Sequence, residues 1–84
     1  MKVTLELKRA VLGILQEAGR RPMSPDALAT YASAWIDAPV PRAQIIAALA
    51  ELEELGFVQR KASALDPTAL TWRATVAGMR QATL

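Results

Sequence analysis

The sequence contains neither cysteine nor histidine, and aromatic side chains make up only 5% of its 84 residues. Without cysteine the chain can form no disulfide, so the fold must be held together by aliphatic packing. The two absences also remove the usual metal ligands, the commonest nucleophile pairs and the commonest general base. The eight Asp and Glu residues form no site-like group. We therefore expect no enzyme, no cofactor and no metal site.

Long apolar runs are absent as well. No segment approaches the roughly 20 apolar residues that a membrane-spanning helix needs. The first residues, Met1–Glu6, lack the apolar core and cleavage site of a signal peptide. These absences predict a cytoplasmic protein with no membrane partner. The net charge of +2 permits binding to nucleic acid without requiring it. The placement of the basic residues must therefore indicate whether the chain binds nucleic acid.

The composition favours helices packed around one small hydrophobic core. Hydrophobic residues make up 52% of the sequence, with alanine and leucine prominent. We expect residues 1–84 to form a single domain. The first helix is predicted to begin near Thr4 and to end at Gly19, with an inward stripe of Leu7, Val11, Ile14, Leu15 and Ala18. Leu5 and Leu12 lie off this stripe. Either the core face is wide or this helix carries a dimer contact.

A second helix is predicted from its start signal. Ser24 is a suitable N-cap, followed by proline at the first helical position and by an acidic residue. Tyr31 and Trp35, one turn apart, are expected to pack into the core or to cover the following loop. Before this helix, Pro22 and Met23 are expected to be extended and to form a short edge strand. After it, the proline-containing link Ile36–Val40 is longer than the turn of a compact helix-turn-helix.

The segment Pro41–Phe57 gives the strongest helical pattern, with proline at its start and glycine near its end. Its inward stripe is predicted to be Ile45, Leu49 and Leu52. The outward face then holds Ala43, Ile46, Ala47 and Ala50. Near the end of the helix, three carboxylates oppose the helix dipole: Glu51, Glu53 and Glu54.

The last third of the chain is predicted to be a β-hairpin and a short helix. The strands are Phe57–Ala62 and Leu70–Thr75, joined by a loop with an Asp66–Pro67 turn signal. Alternation in the second strand would turn Leu70 and Trp72 toward the core, and Thr71 and Arg73 toward solvent. Thr75 can cap a closing helix that holds Val76 and Met79.

This order of elements resembles the winged helix-turn-helix superfamily. Three strings carry the resemblance: the third helix with its Leu55-Gly56-Phe57-Val58 exit, the Ser24-Pro25-Asp26 helix start, and Trp72-Arg73-Ala74-Thr75-Val76-Ala77-Gly78. The last is similar to the strand, Thr-x-x-Gly and helix ending of MarR-, PadR- and ArsR-like regulators. A more distant likeness is to small winged-helix proteins of Mu-like prophages. The resemblance implies a mainly α fold with a small β-hairpin: a three-helix core, a β wing and a short C-terminal helix.

The resemblance also implies a transcriptional regulator that binds double-stranded DNA, and dimerisation because one domain reads only a half-site. The third helix would enter the major groove, with Arg42 directed at guanine and Gln44 at adenine. Arg60, Lys61 and Arg73 on the hairpin would meet phosphates. The placement of these basic residues around one end of the third helix favours this function.

The outward face of the third helix favours a different function. DNA-binding relatives carry polar side chains there, whereas Ala43, Ile46, Ala47 and Ala50 are apolar. An apolar strip bordered by acidic residues is typical of a surface that binds protein. The alternative hypothesis is therefore a protein-interaction or assembly module that does not bind DNA.

Overall fold

A computed structural model of the chain describes residues 4–19, 21–62, 65 and 70–81. Its helices and strands are, in chain order, α1 Leu5–Glu17, α2 Pro25–Ile36, α3 Arg42–Glu54, β1 Val58–Ala62, β2 Leu70–Ala74 and α4 Val76–Arg80. The predicted fold class, mainly helical with a small β-hairpin, is confirmed. The turn predicted at Asp66–Pro67 lies outside the described residues. Within the described part of the chain, no helix is long and apolar enough to cross a membrane.

The helices begin and end where the capping residues predicted. The Thr4 hydroxyl accepts a hydrogen bond from the Leu7 amide at 3.1 Å, and the Ser24 hydroxyl accepts one from Ala27 at 3.2 Å. Gly19 and Gly56, which follow α1 and α3, have φ angles of 70° and 81°. Only glycine adopts this left-handed conformation without a steric penalty, so both residues end their helices as expected.

The core lies between the three long helices and the inner face of the hairpin. The predicted stripe of α3 is confirmed, because Ile45, Leu49 and Leu52 are fully buried. Leu12 of α1 is also buried, whereas Leu5 is 47% exposed. A wide core face therefore accounts for Leu12, and this side chain is unavailable for a dimer contact.

The hairpin has one antiparallel register, in which Arg60 lies opposite Trp72. Met23 extends the sheet as the predicted edge strand, since its amide and carbonyl each make a 2.8 Å hydrogen bond to the Trp72 backbone. Trp72 is buried as predicted, but Leu70 is 37% exposed. Leu70 pairs with Ala62 at the far end of the hairpin, beyond the edge of the core.

The expectation that Tyr31 and Trp35 pack into the core is wrong. Tyr31 and Trp35 are 57% and 52% exposed, because the inward positions of α2 are taken by Leu28 and Ala32. Their rings instead lie at the surface where α2 meets α1. The predicted closing helix is confirmed: Thr75 caps it, and it contains Val76 and Met79. Both side chains are exposed, and the buried residue of this helix is Gly78.

Gly78 and Thr75 attach α4 to the base of the hairpin. The Thr75 hydroxyl donates to the Gly56 carbonyl at 2.6 Å and accepts from the Gly78 amide at 3.0 Å. A Cβ added to Gly78 would lie 2.9 Å from the carbonyl carbon of Phe57, and closer still to its oxygen. On the other side, the Gln16 amide donates to the carbonyls of Gly78 and Gln81 at 2.7 and 2.6 Å. The Thr-x-x-Gly motif thus locks α4 between α1 and the hairpin.

Candidate nucleic-acid interface

The position of α3 depends on Ser33, a residue whose role the sequence analysis missed. Its hydroxyl donates to the Ala29 carbonyl at 2.8 Å and accepts from the Val40 amide at 3.0 Å. Asp37 adopts a left-handed conformation with φ 63°, and the Ala38 amide bonds to the Ser33 carbonyl at 3.1 Å. These bonds fold the proline-containing link back onto α2. The sequence does carry a signal for this role: a serine in the last turns of a helix, just before a proline-containing link, can bond to nearby backbone groups through its hydroxyl.

Arg42 stands at the exposed start of α3. Its Nε lies 3.1 Å from Oδ1 of Asp26 on α2, and the two side chains are 61% and 81% exposed. Such an exposed pair is weak, so an incoming acceptor can compete for the guanidinium. Pro41 caps the helix without a side-chain bond. Gln44, two residues after Arg42, is half-buried.

The apolar face of α3 points away from the core, as its spacing predicts. Ala43, Ile46 and Ala50 are exposed and Ala47 is half-buried. Ile46 is the largest of these side chains, and it is 42% exposed. The four residues form a smooth strip along the helix, because positions three and four apart share one face.

The basic residues of the hairpin do not share one face. Arg60 lies on the face that Trp72 turns to the core, and its guanidinium is 5.4 Å from the centre of the indole ring. Lys61 and Arg73 occupy alternate positions and therefore point to the outer face. There, Nε and Nη2 of Arg73 face the side-chain amide of Gln59, whose oxygen accepts from both, at 2.5 and 2.6 Å, when the amide is turned over by 180°.

Arg60 is bound to Glu53 in the last turn of α3. Its Nη2 and Nε donate to the two carboxylate oxygens at 2.7 and 3.0 Å. These hydrogen bonds lower the pKa of Glu53 and raise the pKa of Arg60. Glu53 and its neighbour Glu51, which lies 3.6 Å from Lys8, are thus partly neutralised. The acidic end of α3 is therefore less repulsive to DNA than the sequence suggested.

The structure corrects the predicted grouping of the basic residues. Arg42 lies at the first turn of α3, whereas Arg60 is held at the last turn, roughly 16 Å farther along the helix at 1.5 Å per residue. The reason is the alternation of side chains along β1. It places Arg60 on the same face of the hairpin as Trp72, where the Glu53 carboxylate binds it. Lys61 and Arg73 remain together on the outer face of the wing.

Solved structures with a similar fold are transcriptional regulators. One, the transcriptional regulator PA4135, has a TM-score of 0.75 and 26% identity; the likeness covers 92% of this chain and 51% of that one. A MarR-family regulator from Silicibacter pomeroyi has a TM-score of 0.70 and 22% identity, over 90% of this chain and 44% of that one. A mutant of MepR from S. aureus, bound to an oligodeoxyribonucleotide, has a TM-score of 0.70 and 17% identity; the likeness covers 92% of this chain and 51% of that one.

The chain therefore has the winged helix-turn-helix fold, of the type found in MarR-family regulators. It spans about half the length of these neighbours. No protein-family model matches the sequence, and the search of curated proteins gives no match.

Proposed function

We propose that this chain is a winged-helix DNA-binding domain of a cytoplasmic transcriptional regulator, formed by residues 1–84. The observation that carries the proposal is the exposed start of α3, with Arg42 at its tip, on a fold shared with transcriptional regulators. The MepR neighbour, which is bound to an oligodeoxyribonucleotide, supports the same ligand for this fold.

In this proposal the first turn of α3 enters the major groove of double-stranded DNA. Arg42 contacts guanine through two N–H donors, and Gln44 contacts adenine through its amide. Binding requires Arg42 to leave Asp26, which costs little because both side chains are largely exposed. Ser33 fixes the angle at which α3 is presented.

The outer face of the wing supplies the phosphate contacts. Lys61 and Arg73 share this face and are attracted to the DNA backbone without regard to base sequence. Arg60 joins them only when it exchanges the Glu53 carboxylate for a phosphate. Glu53 therefore competes with DNA for this arginine.

The experiment is a binding titration on a duplex selected from a random pool. Arg42→Ala should weaken binding by roughly tenfold or more, because one bidentate contact to a base is worth about 1–3 kcal/mol. Arg80→Ala is the control, since it removes one positive charge from exposed α4. The proposal fails if no duplex is selected at low salt, or if the Arg80 variant loses as much affinity as the Arg42 variant.

A second candidate function is supported by the apolar face of α3. Ile46, 42% exposed and flanked by Ala43, Ala47 and Ala50, offers a flat surface suited to another protein. If this face binds a protein partner, Ile46→Glu should abolish the complex in a pull-down and leave the circular dichroism spectrum unchanged. Ala77→Glu, at an exposed position of α4, is the matched control. Equal capture of partners by both variants would contradict this second function.

A further inference from the structure

The apolar face of α3 has the length of a short stretch of DNA bases. Ala43 and Ala50 are exposed, and Ala47 is half-buried. Ile46, the largest side chain of this face, is 42% exposed. From Ala43 to Ala50 the face is roughly 10 Å long at 1.5 Å per residue. Because successive base pairs are about 3.4 Å apart, the face can cover about three of them.

Polar groups that suit a base edge border this face at the start of the helix. Arg42 precedes Ile46 by one turn, and Gln44 precedes Ala47 by one turn, so each pair is adjacent on the helix surface. These two borders carry the side chains that recognise guanine and adenine. At the other end the exposed carboxylate of Glu54 opposes DNA phosphates. The contact with DNA is therefore confined to the part of α3 that precedes Glu54.

The chemistry of the apolar face selects one base. The C5-methyl group of thymine is the apolar group that base pairs present in the major groove. The other bases present hydrogen-bonding atoms there, and an apolar side chain placed against them removes water without supplying a partner. Alanine side chains are short and let the backbone of α3 approach the base edges, whereas Ile46 extends farthest from the helix. The face is thus complementary to thymine.

We infer that the apolar face of α3 reads thymine methyl groups. The chain then selects sites in which thymine lies within about three base pairs of the guanine bound by Arg42. Ile46 is the main specificity-determining residue, because it is the largest side chain of the face and is exposed. The inference rests on the proposed DNA-binding function and adds the base that this function requires.

Replacing thymine by uracil tests the inference, because deoxyuridine differs from thymidine only by the absence of the C5-methyl group. The probe is the duplex selected by the wild-type protein, with its thymines replaced one at a time. The guanine bound by Arg42 is located as the one whose replacement no longer affects the Arg42→Ala variant. Uracil within about three base pairs of this guanine should weaken binding about fourfold, the effect of one buried methyl group. Uracil at more distant positions should have no effect.

The Ile46→Ala variant separates a contact with the methyl group from a change in the DNA itself. At the thymine that Ile46 contacts, uracil should weaken binding of the wild-type protein about fourfold and leave binding of Ile46→Ala unchanged. Val76→Ala is the matched control, since it shortens an exposed apolar side chain of α4. This control should keep the full effect of uracil. Circular dichroism checks that each variant is folded.

The outcomes distinguish this inference from the proposed function. If no duplex is selected at low salt, the proposed function fails and the inference fails with it. If a duplex is bound but lacks thymine beside the guanine, or if uracil replaces every thymine without loss of affinity, the inference alone is overturned. The apolar face of α3 would then be left to a protein partner. A uracil effect that persists at every position in Ile46→Ala would overturn the role of Ile46.

Discussion

Replacing Gly78 by alanine should be one of the most damaging small substitutions in this domain. The added Cβ would lie 2.9 Å from the Phe57 carbonyl carbon and 3.2 Å from its Cα, and these are backbone atoms that cannot rotate away. The Cβ would lie still closer to the Phe57 carbonyl oxygen. Since a carbon atom normally stays about 3.3 Å from such an oxygen, α4 would have to move. The movement strains the 3.0 Å bond between Thr75 and the Phe57 carbonyl and the 2.7 Å bond from Gln16 to Gly78.

The magnitude follows from these losses. Overpacking costs about 1–3 kcal/mol, and each hydrogen bond that is weakened costs about 0.5–1.5 kcal/mol. Alanine regains about 1 kcal/mol through its higher helix propensity. We expect Gly78→Ala to lower the free energy of unfolding by about 3 kcal/mol, which corresponds to a fall in Tm of roughly 12–24 °C. Urea denaturation, followed by the fluorescence of the two tryptophans, measures it.

Gly13→Ala is the matched control for this experiment. It is also a glycine-to-alanine change within a helix, but its new Cβ meets the ring of Trp35 at 3.0 Å, and a side chain can yield where a backbone cannot. We expect its free energy of unfolding to stay within about 1 kcal/mol of wild type. If Gly78→Ala is as stable as Gly13→Ala, the proposed locking of α4 against Phe57 is wrong.

Further predictions concern the elements that present the DNA surface. Ser33→Ala should destabilise the domain by about 1–2 kcal/mol, because it leaves the Val40 amide without its acceptor. Thr30→Ala should cost less in the same urea titration, since the exposed Thr30 hydroxyl only donates to the Asp26 carbonyl of its own helix. Glu53→Gln should tighten DNA binding by releasing Arg60; an unchanged affinity would show that this arginine does not reach phosphate. The bonds to Arg60 lower the pKa of Glu53, so their contribution to stability is present above the ordinary glutamate pKa and disappears as pH falls through the lower folded value. The Glu53→Gln variant should lack this part of the acid-induced loss of stability.

Much of the fold could be predicted because its signals are local. Capping at Thr4 and Ser24 and the glycines after α1 and α3 set the helix ends. The burial of Ile45, Leu49 and Leu52 follows from helical spacing alone. These features depend on residues within one turn of one another, so the sequence carries them directly.

The surface was harder to predict, because it depends on which element lies beside which. Spacing along α2 could not show that Leu28 and Ala32 would fill the core and leave Trp35 outside on Gly13. Nor could local spacing show that Glu53 of α3 would bind Arg60 of β1. Both outcomes depend on contacts between distant parts of the chain, which local patterns do not encode.

The salt dependence of DNA binding tests the central claim most directly. If the first turn of α3 and the outer face of the wing bind DNA, log K should fall linearly with the logarithm of the salt concentration. The Lys61→Ala and Arg73→Ala variants should each reduce that slope by about one unit, and Arg80→Ala should leave it unchanged. The account is contradicted if the wild-type protein shows no binding at low salt, or if the wing variants keep the wild-type slope.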